Sequence, residues 1–264
     1  MSFFKAEHIS AGYGKNKILN DVSFSLNAGE ILGILGANGC GKTTLLKSLC
    51  GILDHSGTCS LCGQKTEGLS PRALAKMCSY IPQRSGISID ISALDVVLMG
   101  FNPQLGLLAH PDEAMRHKAL EALDLVGLGG RENDNYLSLS EGQKQLCILA
   151  RTFVSDAKLL LLDEPESALD FHHRHRMLSL LRKWTARGDR GAVVTLHDGT
   201  LALNACDVLL LLSDGRVLGT VRPKEAPTEH IEEMLRRLYG NISLQTCRSK
   251  NGQEHLMMLY EETI

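Results

Sequence analysis

The sequence predicts an α/β fold: a mostly parallel sheet covered by helices, with a mostly helical insertion near residues 86–155. Three observations carry that expectation. Short apolar segments such as Ile31–Leu35, Leu159–Leu162 and 208–212 read as strands buried on both faces. Amphipathic helical stripes alternate with such segments in the second half of the chain. A glycine-rich loop joins the first apolar segment to a helix, a strand–loop–helix order.

Taken in chain order, residues 18–26 alternate apolar and polar, as a half-buried strand does. Gly33 interrupts the next apolar run and Gly36 follows it, which predicts backbone in close approach to a neighbour. A helix is expected from about Lys42, stopped by Gly51. Residues 112–126 place Met115, Ala119, Ala122, Leu123 and Val126 on one helical face before Gly127. Glu141–Val154 repeats the stripe through Leu146, Leu149, Ala150, Phe153 and Val154. Strands are expected at Leu159–Leu162, 192–196 and 208–212, with a helix between the first two and a short one at 201–205. A last helix at 229–239 is expected to bury Ile231, Met234, Leu235 and Leu238, with Thr228 as N-cap. Beyond Gly240 no pattern assigns an element.

The 264 residues are 44% hydrophobic and 22% charged, the balance of a globular chain rather than a disordered one. A chain of this length buries roughly 70–75% of its unfolded surface, so it needs neither disulfides nor a metal to fold. The formal net charge of -2 argues against a nucleic-acid partner. Eight cysteines are too dilute for a disulfide scaffold. The start MSFFKAEHIS lacks the apolar stretch of a signal peptide, and no apolar run approaches the roughly 20 residues that a spanning helix requires. A cytosolic chain is expected, with any membrane role exercised through a partner.

The strongest chemical signal is Gly36-Ala37-Asn38-Gly39-Cys40-Gly41-Lys42-Thr43-Thr44, a G-x-x-x-x-G-K-T phosphate loop between a strand and a helix. Its glycines let backbone N–H groups curl around phosphate oxygens, and the helix start adds partial positive charge. Lys42 is expected to reach the β- and γ-phosphates, and Thr43 to offer its hydroxyl to Mg²⁺. The second signal is Asp163-Glu164 at the end of four leucines, the strand end at which α/β sheets bind ligands. Asp163 suits Mg²⁺, and Glu164 suits activation of a water. The third is Leu139-Ser140-Glu141-Gly142-Gln143, where Ser140 and Gln143 have the spacing of a capping box.

These residues resemble the ATPase subunits of ATP-binding cassette (ABC) transporters over roughly residues 5–220. The resemblance adds Gln83 of Tyr-Ile-Pro-Gln as the Q-loop glutamine and metal ligand, and residues 139–143 as the signature motif. It adds Ser167-Ala168-Leu169-Asp170 as the D-loop, with Asp170 at the nucleotide site. His197 of Thr-Leu-His-Asp is the switch histidine, and Tyr13 of Ala-Gly-Tyr-Gly is the aromatic residue that stacks on adenine. It implies a P-loop NTPase (RecA-like) core over 1–85 and 156–225, with an antiparallel N-terminal β subdomain. It implies a helical subdomain at 86–155 and a C-terminal helix and tail at 226–264. ATP and Mg²⁺ are the implied cofactors. Two copies are implied to pair head-to-tail, each lending Ser140, Gly142 and Gln143 to the other's triphosphate. Glu164 and His197 are the implied catalytic residues, with Gln83 beside them.

Weaker motifs, Val97-Leu98-Met99-Gly100-Phe101-Asn102-Pro103, residues 169–173 and Leu238-Tyr239-Gly240, resemble importers for iron–siderophore, haem or cobalamin cargo. That subfamily implies membrane permease subunits as partners and an extracytoplasmic substrate-binding protein. The chain would then sit on the cytoplasmic face of the membrane, with a permease groove between Gln83 and the insertion. A soluble assembly ATPase, for instance one serving iron–sulfur clusters, is the competing reading. A nucleotide kinase explains neither residues 139–143 nor His197.

Two residues depart from the family pattern. Glu141 stands where the signature usually has glycine, and is expected to face solvent. Glu166 stands where threonine is common, with no role assigned. Cys59 and Cys62 form a C-x-x-C without a second pair, and ordinary packing is expected of them. Cys40 is read as a small residue tolerated in the loop. His172, His173 and His175 are read as a solvated helix face.

Overall fold

The computed structural model describes residues 2–83, 85–106, 108–167 and 169–262. The antiparallel pair β1 (Phe4–Tyr13) and β2 (Asn16–Leu26) opens the chain, and β2 alternates buried and exposed side chains as its sequence does. The wholly buried β3 (Ile31–Leu35) leads into α1 (Lys42–Leu49). Strand β4 (His55–Leu61) returns to pair with β1, and β5 (Gln64–Lys65) completes a four-stranded antiparallel sheet in the order β2-β1-β4-β5.

Helix α2 (Pro71–Met77) starts where Ser70 Oγ accepts the Ala73 N–H at 3.2 Å, with proline in its first turn. Strand β6 (Cys78–Ile81) then enters a stretch of helices: α3 (Ala93–Leu98), α4 (Glu113–Val126) and α5 (Glu141–Val154). Asp112 caps α4, and Gly127 ends it in the left-handed conformation at φ 84°. Strands and helices then alternate: β7 (Leu159–Leu162), α6 (Phe171–Thr185), β8 (Gly191–Thr195), α7 (Gly199–Ala205) and β9 (Val208–Ser213). Strand β10 (Arg216–Val221) and helix α8 (Thr228–Tyr239) come next.

The central sheet has the order β10-β9-β3-β8-β7-β6 and is parallel except for the edge strand β10. Alternate residues of its strands feed two cores. Leu32, Ile34, Leu161, Val193 and Leu210 pack with α1 and the antiparallel sheet. Ile31, Leu35, Leu162, Val194 and Leu211 pack with the helices from α3 to α8. Each fully buried leucine contributes about 1.5–3 kcal/mol of transfer free energy, so the apolar runs that announce the strands also hold the two layers together. The close approaches expected at glycine are present: a Cβ on Gly33 would lie 2.7 Å from Cys206 Sγ.

The C-terminal region departs from expectation. Thr228 is the first residue of α8 rather than its cap, and Pro227, which offers no side-chain acceptor, precedes it. Pro227 presets the backbone for the helix start, and its carbonyl accepts from both His230 and Ile231 N–H at 3.1 Å. Leu238 is half-buried. The tail forms an antiparallel hairpin of β11 (Ile242–Arg248) and β12 (Glu254–Tyr260). It is clipped to α7 by Asn204, whose Nδ2 donates to the Leu256 carbonyl at 2.8 Å and whose Oδ1 accepts the Leu256 N–H at 3.1 Å. Both strands are only half-buried, so the local sequence carries little period-2 signal.

Candidate functional site

Adjacent parallel strands deliver the predicted chemistry to one edge of the sheet. In the order β3-β8-β7-β6, the chain leaves their C-terminal ends into the phosphate loop, His197, Asp163-Glu164 and Gln83. These segments are remote in sequence, and the sheet register alone brings them together.

The loop after β3 is shaped by its glycines. Gly39 and Gly41 take φ of 81° and 110°, which L side chains rarely adopt. A Cβ on Gly36 would lie 2.4 Å from the Leu212 carbonyl and 2.5 Å from Cys40 Sγ, so Gly36 and the buried Cys40 side chain share one space. Burial pushes the Cys40 thiol above its usual range, against the opposing pull of Lys42. Asn38 is exposed, Thr43 is half-buried and Thr44 is buried. Lys42, 5% exposed, folds back to donate to the carbonyls of Gly36 at 2.9 Å and Ala37 at 3.3 Å.

Helices α2 to α7 each have a side-chain N-cap, supplied by Ser70, Ser92, Asp112, Ser140, Asp170 and Asp198. Helix α1 has none, because Gly41 stands at that position. Its first N–H groups therefore point into the loop without a side-chain acceptor, where an anion fits.

The acidic pair lies at the next strand but one. Asp163 is 2% exposed; its Oδ1 accepts from Thr195 Oγ1 at 3.0 Å and its Oδ2 from the Tyr80 hydroxyl at 3.3 Å. Burial, then Asp163 itself, holds the Tyr80 phenol well above its usual range, so it stays protonated and donates. Thr195 Oγ1 also accepts the Glu164 N–H at 2.7 Å, while Glu164 occupies the left-handed region at φ 47°. The Glu164 carboxylate gathers the other loops. Its Oε1 lies 2.6 Å from His197 Nε2 and 3.9 Å from Lys42 Nζ, and its Oε2 accepts from Gln83 Nε2 at 2.7 Å.

Three participants carry weaker sequence signals. Thr195 is a hydroxyl inside an otherwise apolar strand, and Tyr80 precedes Ile-Pro-Gln by one step. Glu166 is 3% exposed; its Oε1 accepts the His197 N–H at 3.1 Å, and its Oε2 is buried with no partner among the described residues. The residue left without a role in the sequence thus fixes the backbone that carries His197.

Other predicted residues lie apart from this cluster. Ser140 and Gln143 form both halves of the capping box of α5, and Gly142 follows in its first turn. Among the described residues no hydrogen bond joins them to the phosphate loop. Glu141 faces solvent as expected, its side chain 76% exposed and 2.8 Å from Lys144 Nζ. Asp170 caps α6, accepting from the His173 N–H at 2.8 Å and facing His173 Nδ1 at 2.9 Å; these bonds lower its carboxyl. Ala168 of that segment lies outside the described residues. Tyr13 ends β1 with its ring half exposed. His175 packs on Phe171 with ring centroids 4.4 Å apart. Cys59 and Cys62 do not act as a pair: Cys59 is buried in β4, whereas Cys62 is exposed in the following turn at φ 53°.

The chain is also similar to known proteins. The family model described as ABC transporter matches residues 19–167. The chain is 37% identical over 243 residues to the "Hemin import ATP-binding protein HmuV" of Deinococcus radiodurans, covering 90% of each chain. It superposes on a chain of a transporter assigned to the metal-chelate type, solved in an inward-facing conformation, with a TM-score of 0.82, 30% identity and 99% coverage of both. It also matches the ATP-binding cassette MJ0796, solved as a dimer in a post-hydrolysis state with ADP and Pi, with a TM-score of 0.73 and 25% identity. That match covers 83% of this chain and 98% of the other.

Proposed function

Because this chain belongs to the ABC transporter family, we propose that it is the ATP-hydrolysing subunit of an importer for metal-chelate cargo of the haem, iron–siderophore or cobalamin class. The observation that carries the reading is the uncapped α1 above Lys42, facing a carboxylate already held by His197 and Gln83.

The N–H groups of the phosphate loop and of the first turn of α1, with the Lys42 ammonium, receive the β- and γ-phosphates. Tyr13 stacks on the adenine, and Asn38, Gly39, Cys40 and Thr44 complete the cradle. The donors beside it fit a hard cation: the Asp163 carboxylate, the Thr43 hydroxyl and the Gln83 carbonyl oxygen, which is left free while Nε2 donates to Glu164. Bound there, Mg²⁺ would neutralise charge on the phosphoryl oxygens. Thr195 and Tyr80 fix the Asp163 carboxylate in place by donating to its two oxygens.

Glu164 is the general base. Nucleotide entry offers His197 Nε2 a phosphoryl oxygen in place of Glu164 Oε1, and that oxygen then takes a proton from the attacking water. His197 stabilises the charge that develops on the phosphoryl group. Glu166 keeps the His197 backbone in place during the exchange.

A second copy supplies Ser140, Gly142 and Gln143 at the far side of the triphosphate, with Asp170 at the same interface. Closing this sandwich pulls on membrane permease subunits seated between Gln83 and the helices of residues 86–155. In this reading 1–85 and 156–225 form the nucleotide-binding core, 86–155 the helical subdomain and 226–264 a C-terminal appendage. The chain works on the cytoplasmic face, and an extracytoplasmic substrate-binding protein delivers cargo from the other side.

The test uses the chain co-purified with its permeases in proteoliposomes. Glu164→Gln is expected to retain ATP binding, to accumulate a closed dimer and to lose at least about 100-fold in phosphate release. Near-normal turnover would remove Glu164 from the base role.

A further inference from the structure

Cys59 does have metal-ligand neighbours, supplied by the fold rather than by the C-x-x-C spacing. A ring nitrogen of His55, the Cys59 sulfur and a Glu67 carboxylate oxygen all lie within 4.8 Å of one another. His55 and Cys59 sit at the two ends of one five-residue span of β4, and Glu67 follows the short β5 that folds back on it. We propose that these three side chains form a site for a divalent transition ion of the Zn²⁺ class, separate from the nucleotide site.

The His55 ring and the Glu67 carboxylate are already held by second contacts. His55 Nδ1 lies 3.2 Å from the Ser56 carbonyl, and a neutral ring that donates there presents Nε2 as its ligating nitrogen. The segment bearing Glu67 is tied to Cys59 by the Thr66 N–H, which donates to the Cys59 carbonyl at 3.0 Å. Glu67 Oε1 accepts the Cys59 N–H. Partners of this kind usually fix ring and carboxylate orientation in metal sites.

The donor set decides the ion. Nitrogen, sulfur and one carboxylate favour Zn²⁺, Co²⁺ or Fe²⁺ over Mg²⁺, which takes oxygen ligands. Bonds of 2.0–2.3 Å in a tetrahedron put ligand atoms roughly 3.3–3.8 Å apart, so any pair standing farther apart than that closes up on binding. Coordination releases the Cys59 thiol proton to solvent and leaves a thiolate–metal bond. His55 and Glu67 also line a cavity of about 620 Å³, together with Cys50, Cys78 and Tyr80. That cavity gives the ion an entry path and room for a water or a small ligand. Tyr80, on the same cavity wall, donates to Asp163 at 3.3 Å.

The experiment titrates the tag-free, full-length, nucleotide-free chain with Co²⁺ as the spectroscopic probe, in buffer holding millimolar Mg²⁺. The expected result is one Co²⁺ per chain with a thiolate-to-cobalt charge-transfer band, displaced by Zn²⁺ and not by Mg²⁺. Cys59→Ser removes the band, and His55→Ala and Glu67→Ala each weaken binding by about 10–100-fold. Cys62→Ser, at an exposed turn, leaves band and affinity unchanged. His55 and Glu67 lie toward the surface, so their variants keep the test readable if Cys59→Ser fails to fold. Absence of a sulfur-to-metal band overturns the site. So does a band that follows Cys62 or survives both His55→Ala and Glu67→Ala.

Discussion

His197 Nε2 lies 2.6 Å from Glu164 Oε1, and Gln83 Nε2 donates to the other oxygen of the same carboxylate at 2.7 Å. Three strand ends thus meet on one side chain, with Lys42 of the phosphate loop 3.9 Å away. The carboxylate is oriented before any phosphate arrives, and its histidine must change partners when one does. The His197 side chain is 41% exposed, so water assists that exchange and the pair need not be a strong one.

His197→Ala is expected to lower phosphate release by roughly 10²–10³-fold, the usual effect of removing one transition-state donor. ATP affinity should change far less, since Lys42 and the α1 N–H groups remain. Single-turnover hydrolysis beside nucleotide titration separates the two. A loss confined to affinity would reassign His197 to ground-state binding.

Glu166 makes stability depend on pH in a defined direction. Burial raises its carboxyl above 4.5, opposed by the His197 N–H and ring and reinforced by Glu164. Between 4.5 and the raised native value the folded chain holds more protons than the unfolded one, so stability falls as pH rises. This contribution is complete below 4.5 and lost as pH climbs through the folded value. Glu166→Gln keeps an acceptor for the His197 N–H and removes the titration. The variant's urea midpoint relative to the parent's should therefore rise as pH climbs above 4.5. A constant difference would mean that Glu166 is ionised throughout.

Glu141→Gly removes an exposed ion pair with Lys144 from the first turn of α5. Such pairs contribute little, so ATP-driven dimerisation should shift by less than about fivefold. Sedimentation of the Glu164→Gln background with and without the second change measures this. A tenfold shift would place Glu141 against the partner's phosphates.

Asn204→Ala cuts both bonds between α7 and the Leu256 backbone. The β11–β12 hairpin should loosen locally, since part-buried backbone groups left unpaired cost about 1–3 kcal/mol. Hydrogen exchange at Leu256 and Met258 should speed up while the central strands keep their protection. Unchanged exchange at Leu256 would show that apolar packing alone docks the hairpin.

Much of the site could be read locally. The phosphate loop needs only glycines at set offsets and a strand before it. Ser140 and Gly127 bound their helices as expected, because caps act within three or four residues. Leu159–Leu162 and Ile31–Leu35 are strands because a run apolar at every position suits a sheet covered on both faces. The half-buried hairpin at the tail escaped, since its burial comes from Asn204, Thr200 and α8 rather than from its own alternation.

The sequence by itself therefore determined the apolar strands, the amphipathic helices and the caps set by local chemistry, and which residues are chemically able to hold a phosphate. Only the tertiary structure decided who meets whom: Glu164 with His197 and Gln83, Glu166 with the His197 backbone, and Cys59 with His55 and Glu67 instead of Cys62. The physical reason is range. Capping and amphipathic periodicity are set within a few residues, whereas these encounters follow from a sheet ordered β10-β9-β3-β8-β7-β6 and from hairpin register, which no local window contains.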